Sequence, residues 1–149
     1  MAAPQPQVAT VLVVDDDPHM LSVISKSLQI IGKFHVELAT DGVQGLERFF
    51  EVHPDCVVID VKMPEMDGYQ LVRALRGDPD SLATPMIILT AMAQQRDKFI
   101  GMASGADRYL LKPVKPIDLV EAVRAAIAMS NEERERMVQK RALELEDPS

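Results

Sequence analysis

Four short apolar runs, ATVLVV, DCVVID, PMIILT and DRYLLK, punctuate the chain, and a weaker one, FHVELAT, follows the first. Runs such as VLVV and MIIL are too short for whole helices. They also lack the polar–apolar alternation of a half-exposed strand, as parallel strands buried on both faces do. Between the runs the period changes. Met20, Leu21, Ile24, Leu28 and Ile31 recur at three and four residues, as do Val43, Leu46, Phe49 and Phe50. Tyr69, Leu71, Val72 and Leu75 follow the same spacing, then Phe99 and Met102, then Leu119, Val120, Val123 and Ile127. The pattern predicts strands near 10–15, 34–39, 55–60, 85–90 and 107–111, and helices near 17–31, 41–52, 67–76, 94–103 and 116–129. Asp17 can cap the first helix with Pro18 at its first position, and Thr40 or Asp41 can cap the second. Gly32, Pro54, Gly77 and Gly105 fall in connections. Five strand–helix units in succession predict an α/β fold, a doubly wound parallel sheet with helices on both faces.

This core occupies residues 10–129. Residues 1–9 read as a disordered N-terminal segment, without the basic stretch and long apolar run of a secretory signal. Residues 130–149, SNEERERMVQKRALELEDPS, read as a polar helical tail or linker. Ser130 and Glu133 have capping-box spacing, so a separate helix can start there, and a continuation of the preceding helix is the alternative. A long coiled coil is disfavoured, because the seam through Val123 and Ile127 would continue into Ser130 and Arg134.

Composition narrows the function. The formal charge of -7 argues against a general nucleic-acid binder, which usually presents a basic surface. No apolar run has the length of a membrane span. The one cysteine, Cys56, cannot form an internal disulfide, which fits a reducing compartment, and a cytoplasmic location is the expectation. Neither G-x-G-x-x-G nor G-x-x-x-x-G-K-[ST] occurs, which disfavours nucleotide binding.

In an open parallel sheet, ligand chemistry gathers beyond the carboxyl ends of the strands. The first strand ends in Asp15, Asp16 and Asp17, the third in Asp60, the fourth in Thr90 and the fifth in Lys112. Clustered carboxylates repel one another and stay ionised only beside a cation. Oxygen ligands of this kind suit Mg²⁺. A helix cap accounts for Asp17 but not for two further acids beside a buried strand. Asp60 can act as a nucleophile toward phosphorus, giving an aspartyl phosphate. Phosphoryl transfer needs charge neutralisation and alignment, for which Lys112 offers a positive charge and Thr90 a hydroxyl. A lone threonine or lysine at a strand end means little; the set at successive strand ends carries the reading.

The stretches VLVVDDDP, VVIDVKMPEMDGYQL, PMIILTA and GADRYLLKPV, in this order and spacing, resemble the receiver (CheY-like) domain of two-component response regulators over about residues 10–129. The resemblance implies a flavodoxin-like (βα)5 sheet of strand order 2-1-3-4-5. It implies that Asp60 is the phosphoacceptor and that Asp16, Asp60 and the backbone carbonyl of Lys62 bind Mg²⁺ directly, with Asp15 acting mainly through water. Thr90 would be the switch hydroxyl with small Ala91 after it, and Lys112 the pairing lysine with a cis bond to Pro113. Tyr109 would be the aromatic switch, a position that an ordinary half-buried strand tyrosine also satisfies. Met63, Pro64, Asp67 and Gly68 would shape the loop after the acceptor. The implied partners are a sensor histidine kinase or phosphotransfer protein and a downstream output domain or protein. A homodimer through the face of helix 94–103, strand 107–111 and helix 116–129 is a further implied partner. Against that dimer, Arg108 stands where receivers of the transcription-factor type often carry an acid. Cys56, His19 and His53 read as structural or incidental. A phosphatase of the haloacid-dehalogenase type is the enzyme alternative, since Asp15-x-Asp17 fits its D-x-D motif. The chain has Pro18 and His19 after the motif and no room for the cap insertion of that family. A degenerate receiver used only for docking is a third reading, which the complete residue set opposes.

Overall fold

The computed structural model describes residues 8–63, 65–91 and 105–129, together with Glu133, Arg136, Gln139, Lys140 and Leu143. Its elements run β1 (Thr10–Val14), α1 (Pro18–Ile30), β2 (His35–Ala39), α2 (Gly42–Val52), β3 (Cys56–Asp60), α3 (Gly68–Arg76), a short 3-10 turn (Pro79–Ser81), β4 (Met86–Thr90), β5 (Arg108–Leu111) and α4 (Pro116–Ala128). All five strands are parallel in one sheet of order β2-β1-β3-β4-β5. This is the flavodoxin-like arrangement. The predicted helix 94–103 lies outside the described residues, as do Pro64 and Ser130.

The unalternated apolar runs find their reason in the two faces of the sheet. Leu12, Val14, Val57, Ile59, Met86 and Ile88 point to one face, where they pack with Phe49 of α2 and Leu71, Val72 and Leu75 of α3. Val11, Val13, Cys56, Val58, Ile87 and Leu89 point to the other, against Leu21, Ile24 and Leu28 of α1 and Leu119, Val120 and Val123 of α4. Each fully buried aliphatic side chain contributes roughly 1.5–3 kcal/mol, so both faces of every central strand are stabilising. Three aspartates start helices. Asp17, Asp41 and Asp67 accept the amides of His19, Gln44 and Gln70, and Gln70 returns a bond to the Asp67 amide to close a capping box.

Among the described residues, three of the apolar repeats face solvent instead: Ile31, Val43 and Phe50. Ile31 is already past the end of α1. On α2 the close approach is made by Gly45, where an added Cβ would lie 3.0 Å from Leu71 and 3.1 Å from Val14. The helix therefore seats on its small residues and turns Val43 outward.

Candidate functional site

Strand register brings the sequence-selected residues together. Val14 pairs with Ile59, so Asp15, one step further, comes level with Asp60. Asp60 pairs with Leu89 and Thr90 with Leu111, which sets Thr90 and then Lys112 one step higher on successive strands. The ladder continues past the strand ends: the Asp15 amide donates to the Ala39 carbonyl at 3.1 Å and the Lys112 amide to the Thr90 carbonyl at 2.7 Å.

Carboxylate oxygens of Asp15, Asp16 and Asp60 all lie within 4.8 Å of one another. Asp15 and Asp60 are buried and Asp16 is exposed. The Lys112 ammonium donates to Asp60 Oδ1 at 2.5 Å. Asp15 Oδ1 accepts the Asp17 amide at 2.9 Å. Its Oδ2 is buried and has no hydrogen-bond partner. An ionised carboxylate in that setting is costly. Burial accordingly pushes the Asp15 carboxyl up to about 6; the Asp17 amide and Lys112 oppose the shift, and Asp60 and Asp16 add to it. An orphaned buried oxygen, two neighbouring carboxylates and a raised proton affinity are what a hard oxygen-loving divalent cation would relieve, and this donor set fits Mg²⁺.

Thr90 is buried at the end of β4. Tyr109 pairs with Ile88, two residues before Thr90 on the adjacent strand, so Thr90 and Tyr109 lie on the same face of the sheet. Tyr109 is half-buried against the α2–α3 core. Lys62 is exposed, two residues past Asp60, and Ala91 is exposed after Thr90. The Lys112–Pro113 peptide is cis, as the resemblance implies.

The start of α3 is held tightly to the end of β3. The Gly68 amide donates to the Val61 carbonyl at 3.0 Å. A Cβ on Gly68 would meet the Asp60 carbonyl oxygen at 2.6 Å, so only glycine lets the start of α3 approach this closely. Glu65, with φ 67, makes the sharp turn of the loop.

A second buried charge pair escaped the sequence reading. Arg76, at the end of α3, reaches Asp107 Oδ2 at 2.6 Å, the Ser81 carbonyl at 2.5 Å and the Gly105 carbonyl at 3.1 Å. Asp107 Oδ2 also accepts the Met86 amide at 2.8 Å. This network ties α3, the 3-10 turn and the entry to β5 together. His19 and His53 are exposed and Cys56 is buried beneath α1 and α4.

Comparison with known proteins matches residues 11–124 to the response regulator receiver domain. The DNA-binding response regulator MtrA of Mycolicibacterium smegmatis is 36% identical over 139 residues, covering 93% of this chain and 59% of that protein. The chain spans about half the length of the curated relatives it matches. Chemotaxis protein CheY4 of Vibrio cholerae superposes with a TM-score of 0.76 at 33% identity, over 80% of this chain and 99% of that one. The receiver domain of sensor histidine kinase PA1611 from Pseudomonas aeruginosa PAO1, solved with a magnesium ion coordinated in the active site cleft, superposes with a TM-score of 0.76 at 30% identity. That match covers 83% of this chain and 100% of the other.

Proposed function

This chain belongs to the response regulator receiver domain family of two-component signalling, and from that premise we propose that it is a phosphate-operated switch whose acceptor is Asp60. The observation that carries the reading is the Lys112 ammonium at 2.5 Å from Asp60, inside a cluster of three carboxylates.

In the proposed step an Asp60 oxygen attacks the phosphorus of a phosphohistidine on a sensor kinase or phosphotransfer protein. The new P–O bond forms as the P–N bond breaks, and the imidazole leaves with the bonding pair and takes up a proton. Asp15, Asp16, Asp60 and the Lys62 carbonyl would hold Mg²⁺. When bound, that ion supplies positive charge to the transferring oxygens. The remaining work falls to the chain's own groups. Lys112 orients the acceptor carboxylate and then neutralises a phosphoryl oxygen. The Thr90 hydroxyl donates to another. The β3–α3 loop, drawn in by Gly68, fixes the backbone beside Asp60.

Thr90 turning toward the phosphoryl group would vacate space into which Tyr109, on the same face of the next strand, can rotate. The face around β5 and α4 would thereby change for an output domain or protein. Arg108 on that face favours such a partner over a second copy. No helix among the described residues is long and apolar enough to cross a membrane, and a cytoplasmic site of action accords with this reading. The D-x-D phosphatase alternative is opposed by Asp17, whose carboxylate is engaged as the cap of α1.

Incubation with a small acyl-phosphate donor and Mg²⁺, followed by mapping of the modified residue, tests the reading. Modification at Asp60 that is lost in Asp60→Asn is expected. Modification at Asp15 would overturn it.

A further inference from the structure

Burial secures β5 only weakly. The strand lies at the edge of the sheet beside β4, and its four residues are half-buried or exposed. Burial of one face normally fixes a strand's register. Here a slip by one residue would exchange Tyr109 for Leu110 and Leu110 for Leu111, apolar for apolar, so the side chains discriminate poorly between registers. Such a slip would move Lys112 by about 3.3 Å and turn its side chain to the other face of the sheet, away from Asp60.

The register is pinned at the foot of the strand instead. Asp107, one residue before β5, donates its amide to the Met86 carbonyl at 2.9 Å and accepts the Met86 amide on Oδ2 at 2.8 Å. Both backbone groups of the first β4 residue are thus taken by one aspartate. The same Oδ2 accepts from the Arg76 guanidinium at 2.6 Å, whose other donors hold the Ser81 carbonyl at 2.5 Å and the Gly105 carbonyl at 3.1 Å. Gly105, with φ 101, lays its backbone against the Arg76 stem, where a Cβ would lie 3.0 Å from Arg76 Cγ.

Arg76 is the last residue of α3, and the first, Gly68, donates its amide to the Val61 carbonyl beside the acceptor. The helix therefore runs from Asp60 down to the foot of the sheet, and β5 runs back up from Asp107 to Lys112. Nine helical residues span roughly 13 Å. The five residue steps from Asp107 to Lys112 span roughly 16 Å. With the Lys112 ammonium on Asp60 Oδ1 at 2.5 Å, the path closes on the residue from which it started.

We infer that Arg76 and Asp107 are positioning residues for phosphoryl transfer, holding β5 at the height that sets the Lys112 ammonium on Asp60. The inference rests on Lys112 and Asp60 acting as proposed above. Both residues act through the strand, from its opposite end.

The test uses the full chain. Arg76→Met combined with Asp107→Leu removes the clasp without leaving a buried charge unpaired. Leu28→Ala, a core truncation beneath α1 and remote from this path, controls for lost stability. Two signals are read in the metal-free protein: the ammonium proton resonance of Lys112, and hydrogen exchange of its amide, which donates to the Thr90 carbonyl at 2.7 Å. A third is the rate of Asp60 phosphorylation by acetyl phosphate with Mg²⁺. In the double variant the ammonium resonance should move to that of a solvated lysine. Lys112 amide exchange should quicken roughly tenfold while β1 and β3 amides keep their protection, and phosphorylation should slow roughly ten- to a hundredfold. Asp107→Asn in place of Asp107→Leu returns an acceptor to the Met86 amide and should recover part of each. An unmoved Lys112 resonance and amide in the double variant, or the same changes in Leu28→Ala, overturn the proposal. So does normal phosphorylation with Lys112 displaced. A wild type that acetyl phosphate leaves unmodified at Asp60 overturns the function proposed above instead, and the two Lys112 signals still decide whether the clasp positions it.

Discussion

Asp15→Asn should make the metal-free protein more stable at neutral pH while it removes Mg²⁺ binding. The Asp15 carboxyl lies at about 6 in the folded chain against an ordinary 3.8, chiefly through burial. With 1.36 kcal/mol per unit, keeping it ionised costs the fold up to roughly 3 kcal/mol. Asparagine has the same shape, carries no charge and can still accept the Asp17 amide with its carbonyl. Its NH₂ group would replace the orphaned Oδ2 with a donor beside two carboxylates. The pH dependence follows from the direction of the shift. A raised carboxyl binds its proton more tightly in the folded state, so its favourable contribution is complete below pH 3.8 and is lost as pH rises through 6. Wild type and variant should thus agree near pH 4 and diverge most above pH 7. Urea denaturation in a chelator at pH 4.5, 6 and 7.5 measures the gap. Repeating it in Mg²⁺ should stabilise the wild type by RT ln(1 + [Mg²⁺]/Kd), about 2.7 kcal/mol at a hundredfold excess over Kd, and leave the variant unmoved. Equal or lower stability of the variant at pH 7.5 in chelator would refute the account of Asp15.

Three further outcomes are expected. Gly68→Ala forces a Cβ to within 2.6 Å of the Asp60 carbonyl, so the loop must withdraw. A stability loss of roughly 1–3 kcal/mol in thermal denaturation should accompany slower phosphorylation of Asp60. Arg76→Ala strands Asp107 in the interior and should cost about 3–5 kcal/mol by urea titration, with Asp107→Asn in the same background recovering part of the loss. Thr90→Ala should slow phosphorylation without abolishing it and should uncouple it from β5. Amide spectra with and without a phosphoryl mimic should then show shifts around Tyr109 in wild type only.

Strand positions were legible to within one residue, because continuous runs such as VLVV and MIIL admit few other placements between polar turns. Helix starts were legible where an aspartate precedes the apolar repeat, as at Asp17 and Asp41. The short turn at Pro79–Ser81 was not recognised, although Asp78 before Pro79 carries the same cap-and-proline signal. Spacing alone misjudged Val43 and Phe50, since a repeat defines a stripe but not which side a neighbouring helix covers. At the site, the strand-end rule selected Asp15, Asp60, Thr90 and Lys112. It could not distinguish the buried Asp15 from the exposed Asp16, two identical letters whose environments differ through strand parity. The Arg76–Asp107 pair was invisible, because two charges 31 residues apart share no spacing or motif.

The interior position of β1, between β2 and β3, has a consequence for how the chain is made. One edge of β1 is covered by β2, but the other waits for β3, and the clasp between the Thr10 amide and the Asp55 carboxylate spans 45 residues. At roughly 5–20 residues per second, a ribosome leaves that apolar edge open for about 2–9 seconds before its partner emerges. The first strand, buried on both faces in the finished molecule, is thus the strand whose second edge waits longest for its partner during synthesis. Polar replacements within VLVV should lower yield before they alter any property of the folded domain.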